Sequence, residues 1–153
     1  MSESVALPAV ALVSVLLIAL TTIVHHEVLA ALSSGLSSMR IPKRAKLLVT
    51  IFGALAAHLI EIALYGVTIY WLVTQWHAGT LAGPLPMSLK HCLYFSAETY
   101  TSLGLGDVTP TGPLRLLAGV EALNGLLLIG WSASFAHLEM DRFWRPERHD
   151  PRP

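Results

Sequence analysis

The sequence predicts an all-α integral membrane protein with three transmembrane helices. A short re-entrant helix and an irregular loop are expected between the second and third. Three observations carry this. Of the 153 residues, 54% are hydrophobic and only 13% charged, about half the charged fraction of a soluble domain. Three apolar stretches each reach the roughly 20 residues that cross a bilayer core as a helix. Between the last two lies a shorter apolar segment running into "TSLGLGDVTP", residues 101–110, whose glycines end a helix.

The first stretch is Val5–Val24, followed by His25, His26 and Glu27 and then apolar residues to about Leu32. It opens Met1-Ser2-Glu3-Ser4, without the basic start of a signal peptide, and its apolar run is too long for one. The second is Leu47–Trp76, broken by His58 and Glu61. The third is Leu114–Leu138, which holds Glu121 and Asn124. The connection Ser33–Lys46 carries Arg40, Lys43, Arg44 and Lys46 and no acid, and the tail carries Arg142, Arg145, Arg148 and Arg152. Lys90 and Arg115 alone stand on the other side. This asymmetry predicts a multi-pass cell-membrane protein with its N-terminus outside and its C-terminus cytoplasmic. The basic connection is also suited to anionic lipid head groups. Tyr65, Tyr70, Trp71 and Trp76 read as an outer interfacial belt, and Phe143 and Trp144 as an inner one. The formal net charge is zero, which gives no basic field to suggest nucleic acid. The single cysteine, Cys92, excludes an intrachain disulfide and reads as a small apolar residue.

His77–Pro86 reads as a loop rich in glycine and proline. Ser88 is suited to cap a helix over Leu89–Tyr100, too short to span a bilayer. Irregular backbone at membrane depth is tolerated only where it lines a watery path or is buried in protein. Gly104 and Gly106 can adopt positive φ at no steric cost. Alternating them with Leu103 and Leu105 lets successive carbonyls point the same way, and Ser102 adds a hydroxyl. Four copies around an axis would stack rings of oxygens able to replace a cation's hydration shell.

The stretch "FSAETYTSLGLGDVTP" resembles the pore signature of the tetrameric potassium channel family, in a two-transmembrane form with an extra N-terminal span. The resemblance runs from Tyr94 to Asp107 and on through the third span. It implies a homotetrameric pore. It makes Leu47–Trp76 the outer helix, residues 88–101 the pore helix, residues 102–106 the filter and residues 114–138 the inner helix. Residues 1–46 would be an added span and basic loop, residues 47–139 the pore domain, and residues 140–153 a short tail. Thr101, Ser102, Leu103, Gly104, Leu105 and Gly106 would bind the permeant ion, with K+ at Ser102, Leu103, Gly104 and Leu105. Glu98 would pair with Asp107, and Tyr94 and Phe95 would form the surrounding cuff. Gly125 falls near the family's hinge glycine. The sequence departs from the usual signature at Ser102 (Thr), Leu103 (Val) and Leu105 (Tyr), although Gly-Leu-Gly resembles variants in the second pore of tandem-pore channels.

Three further groups need a role. Glu121 and Asn124 lie three apart on one helix face, facing either a cavity or a neighbouring helix. Ser132, Ser134 and Gly130 suit close helix packing. His25, His26, Glu27, His58 and Glu61 approach the same half of the membrane, and imidazole with carboxylate suits a hydrogen-bond network, a proton switch or a metal site. No span repeats Arg or Lys at every third position, so no voltage sensor is read. The tail is too short for a ligand-binding domain. No nucleophile–base pair or metalloprotease motif suggests an enzyme.

The expectation is a potassium-selective or potassium-preferring channel, with potassium as the permeant ion, no cofactor, and lipids, monovalent cations and its own copies as partners. The alternatives are a non-selective monovalent cation channel and a non-conducting membrane sensor or metal-binding protein built on the His/Glu cluster.

Overall fold

The computed structural model describes residues 3–84 and 86–144. Arg145, Arg148 and Arg152, which entered the orientation argument, lie outside the described residues, as do the side chains of Phe143 and Trp144. The element order is α1 (Glu3–Ser38), α2 (Lys43–Thr74), β1 (Leu81–Ala82), α3 (Leu89–Tyr100), β2 (Thr109–Pro110) and α4 (Leu114–Trp144). α1, α2 and α4 are long and apolar enough to cross a membrane.

α1 runs past Leu32, where the apolar run ends. The serines that suggested a loop are satisfied within the helix. Ser34, Ser37 and Ser38 donate to the carbonyls of Ala31, Ser34 and Gly35 at 3.1, 2.7 and 2.8 Å. Ser33 instead donates to Glu139 Oε1 of α4 at 3.2 Å. Lys46 Nζ caps the far end, donating to the Leu36 carbonyl at 2.6 Å, where a cation meets the helix's negative pole. The connection therefore shrinks to residues 39–42, and Lys43, Arg44 and Lys46 belong to the first turn of α2. α4 likewise continues past Leu138, with Glu139 buried between Ser33 and Arg142.

α3 lies against both α2 and α4, and two glycines set how closely. A Cβ on Gly66 of α2 would come 3.0 Å from the Leu93 Cα of α3. A Cβ on Gly125 of α4 would strike the carbonyl oxygen of Tyr100. Around this contact sits the core: Tyr65, Ile69 and Leu72 from α2, Cys92, Phe95 and Tyr100 from α3, and Leu114 and Leu117 from α4. Val10 and Leu17 close it from α1. Tyr65 is fully buried, which removes it from the interfacial belt.

The segment after α2 is not a plain loop. β1 pairs antiparallel with β2, Leu81 opposite Pro110 and Ala82 opposite Thr109. The Thr111 amide donates to the Thr80 carbonyl, and the Thr80 amide to the Thr111 hydroxyl, both at 2.9 Å. This clasp pairs backbone that two facing loops would leave unpaired.

Candidate functional site: the loop after α3 and the polar groups behind it

Ser88 caps α3, its hydroxyl accepting from the His91 amide at 3.2 Å. At the other end the chain leaves the helix by a left-handed step at Ser102, φ 56°. Gly104 and Gly106 repeat it at φ 54° and 79°. For glycine this is free, whereas Ser102 adopts a region that side chains disfavour. The alternation sorts the backbone. The amides of Leu103 and Gly104 donate to the Glu98 carbonyl at 2.9 and 3.3 Å, and the Ser102 amide to the Thr99 carbonyl at 2.9 Å. The Leu105 amide donates to Glu98 Oε2 at 3.2 Å. Among the described residues, no hydrogen bond reaches the carbonyls of 102–106, and residues 101–107 are all exposed. Leu103 and Leu105 project with 64% and 61% of their surface open. Thr101 turns its hydroxyl back onto the Ala97 carbonyl at 2.7 Å.

The two acids do not pair directly. Glu98 is buried behind the loop and takes the Leu105 amide, while Asp107 accepts from the Tyr94 hydroxyl at 3.0 Å. Burial holds the Glu98 carboxyl above its ordinary value. The Leu105 amide opposes this and the Asp107 charge adds to it, so the acids communicate through space. The hydrogen bond to Asp107 raises the Tyr94 phenol. Phe95 is turned into the core rather than toward the loop, so Tyr94 alone keeps the expected contact.

Glu121 and Asn124 are buried and do not face a cavity. Ser96 Oγ of α3 stands 2.5 Å from Glu121 Oε1 and 2.8 Å from the Ile62 carbonyl of α2; its one proton serves the carbonyl when a protonated Glu121 donates to Oγ. Asn124 Nδ2 donates to Thr21 Oγ1 at 2.8 Å and Tyr65 Oη at 3.2 Å. These bonds tie α4 to α3, α1 and α2, the arrangement expected of polar groups that have no water to meet. Gly125, one residue on, serves the close approach to Tyr100.

The third group splits. His25 Nδ1 stands 2.8 Å from Glu61 Oε1. His58 Nδ1 stands 3.2 Å from Glu61 Oε2 and 2.9 Å from Tyr100 Oη. The Tyr100 hydroxyl donates to Glu61 Oε2. Ser132 Oγ lies 3.2 Å from His25 Nε2 and 3.0 Å from His58 Nε2. His25 and Glu61 are fully buried. His26 and Glu27 lie outside this cluster. Their side chains are 61% and 72% exposed and contact each other at 3.4 Å. A helix turns about 100° per residue, so His25 and His26 cannot share a face. Tyr100 and Ser132 are the members the sequence reading missed. Tyr100 sits inside the loop signature and Ser132 among small residues, and neither position signals a partner on another helix.

Three spans, a short helix held between two of them, and a carbonyl-bearing loop at its end define a multi-pass membrane protein of pore-loop type. Residues 57–137 match the family described as "Ion channel", which covers more than half of the chain, and the chain belongs to that family. Comparison with curated proteins and with solved structures found no match.

Proposed function

We propose that the chain assembles as a homotetramer and conducts cations passively across the cell membrane, with preference for potassium. One observation carries this reading above the rest. Three left-handed steps, at Ser102, Gly104 and Gly106, accompany amides that donate to Glu98, while the carbonyls of the exposed residues 102–106 accept no hydrogen bond among the described residues. Carbonyls so arranged can replace a hydration shell once copies face one another around an axis. Thr101, Ser102, Leu103, Gly104, Leu105 and Gly106 would hold the ions, K+ lying at Ser102 to Leu105. Each chain has one such loop, so a closed ring requires several copies. Four follows from the resemblance of the signature. The exposed faces of Leu103 and Leu105 support this, since a neighbouring subunit would cover them. Residues 47–139 would form the pore domain, with α1 on its periphery. The basic residues favour an outer N-terminus and a cytoplasmic C-terminus.

A non-selective cation channel is the second reading, and Leu105 favours it. An isobutyl group offers no hydroxyl to fix the loop from the side. Flux through purified protein in liposomes decides between them, under a potassium and then a sodium gradient, with Gly104→Ala as control. Potassium-only flux that the variant abolishes supports the selective pore. Equal flux of both ions supports the second reading. Absence of flux in folded, reconstituted protein refutes both.

A further inference from the structure

Glu61 is a carboxylate within a membrane span, and such a group is costly unless compensated. Its surroundings form a closed ring of five contacts. The ring runs from Glu61 to His25, to Ser132, to His58, to Tyr100 and back to Glu61. Each contact needs one proton. Two neutral imidazoles, one serine, one phenol and a carboxylate bring four, one fewer than the ring needs. With His58 protonated at Nε2, Ser132 accepts from it and donates to His25 Nε2, and the shortfall falls on Tyr100, whose single proton faces both His58 Nδ1 and Glu61 Oε2.

We propose that His25 Nδ1, His58 Nδ1, a Glu61 oxygen and Tyr100 Oη bind one divalent transition metal ion of the zinc class. The donor set is two imidazole nitrogens and two oxygens, which suits tetrahedral zinc. Bonds of about 2.0–2.1 Å in that geometry set ligands about 3.3 Å apart. His25 Nδ1 lies 2.8 Å from Glu61 Oε1, and His58 Nδ1 lies 3.2 Å from Glu61 Oε2 and 2.9 Å from Tyr100 Oη, so these pairs need part by only a few tenths of an ångström, while the closer Tyr100–Glu61 pair must open further.

Metal binding also resolves the proton count. With both Nδ1 atoms on the metal, each neutral imidazole carries its proton on Nε2. Ser132 Oγ then accepts from both, one lone pair for each, at 3.2 and 3.0 Å. An outer hydrogen bond to each ligating histidine is what fixes its tautomer in such sites. Binding releases the phenol proton to solvent, and glutamate with phenolate balances the two positive charges. A groove of about 280 Å³ between α2 and α4, lined by Leu55, Ile129 and other apolar residues, reaches His58 and Ser132 at the edge of the site. Once bound, the ion would fasten α1 and α2 to the last residue of α3, one step before the loop.

The test uses purified full-length protein in detergent, stripped with chelator and loaded with Co2+. Elemental analysis and visible absorption are the readouts. One Co2+ per chain with intense tetrahedral bands, displaced by Zn2+, is expected. His58→Gln should abolish this in protein that stays monodisperse, since the His58 side chain is 14% exposed and less central to the core than Glu61. His26→Gln should leave it unchanged, and Ser132→Ala should weaken it about 10–100-fold. Failure of folded wild-type protein to retain Co2+, or equal retention by His58→Gln, overturns the proposal.

Discussion

The Leu105 amide donates to Glu98 Oε2 at 3.2 Å, so a carboxylate seven residues back in the chain holds the middle of the loop from behind. Burial keeps that carboxyl above its ordinary value. A raised pKa means the proton arrives at higher pH than on an exposed glutamate. A neutral carboxyl accepts the Leu105 bond less strongly. Ion flux in liposomes should therefore fall as external pH drops toward mildly acidic values. Glu98→Gln should remove that step from the pH profile. A profile identical in wild type and variant would show that Glu98 does not set it.

Ser96 Oγ stands between Glu121 and the Ile62 carbonyl, within hydrogen-bond distance of both. Glu121 Oε2 already has no protein partner among the described residues. Ser96→Ala should cost about 1–3 kcal/mol, because it strands a second buried oxygen. Denaturant unfolding in detergent measures this. A double-mutant cycle with Glu121→Gln should give a coupling of about 0.5–3 kcal/mol, and additivity would mean the contact contributes nothing.

Gly125→Ala should destabilise the protein by about 1–3 kcal/mol. The methyl group would meet the Tyr100 backbone, which cannot swing aside as a side chain can. Gly53→Ala is the comparison. There the nearest atoms are the flexible end of Leu32, at 2.6 and 2.7 Å, and the loss should be smaller. Thermal unfolding of the two variants in one detergent ranks them, and equal losses would count against a backbone clash at Gly125.

Cys92 is fully buried, and burial pushes its thiol up to about 11. The thiolate is the reactive form. Cys92 should resist maleimide in folded protein at neutral pH and react fully after denaturation, as mass spectrometry would record. Rapid labelling of the folded protein would show that α3 leaves its place between α2 and α4.

The three spans and the capped short helix were legible because their signals are local. Apolar length defines a span, and Ser88 stands directly before its helix. The tail of α1 was less legible because serines read alike in a loop and in a helix that absorbs their hydroxyls. Partners across helices were the least legible. Spacing placed His58 and Glu61 on one face, but neither His25 over His26 nor the arrival of Tyr100 and Ser132 follows from spacing. Those depend on how far each helix slides along the next. Asp107 acts on Glu98 through its charge while its hydrogen bond goes to Tyr94, a division that side-chain reach rather than spacing decides.

The glycines at 66 and 125 leave no slack on either side of the short helix. Two long helices that touch a third through bare backbone act like jaws on a key. A change in the angle between α2 and α4 would therefore be passed to α3. Its last residue, Tyr100, stands two residues before the loop's first left-handed step at Ser102, so a shift of either jaw is carried to the start of the loop through backbone rather than through yielding side chains.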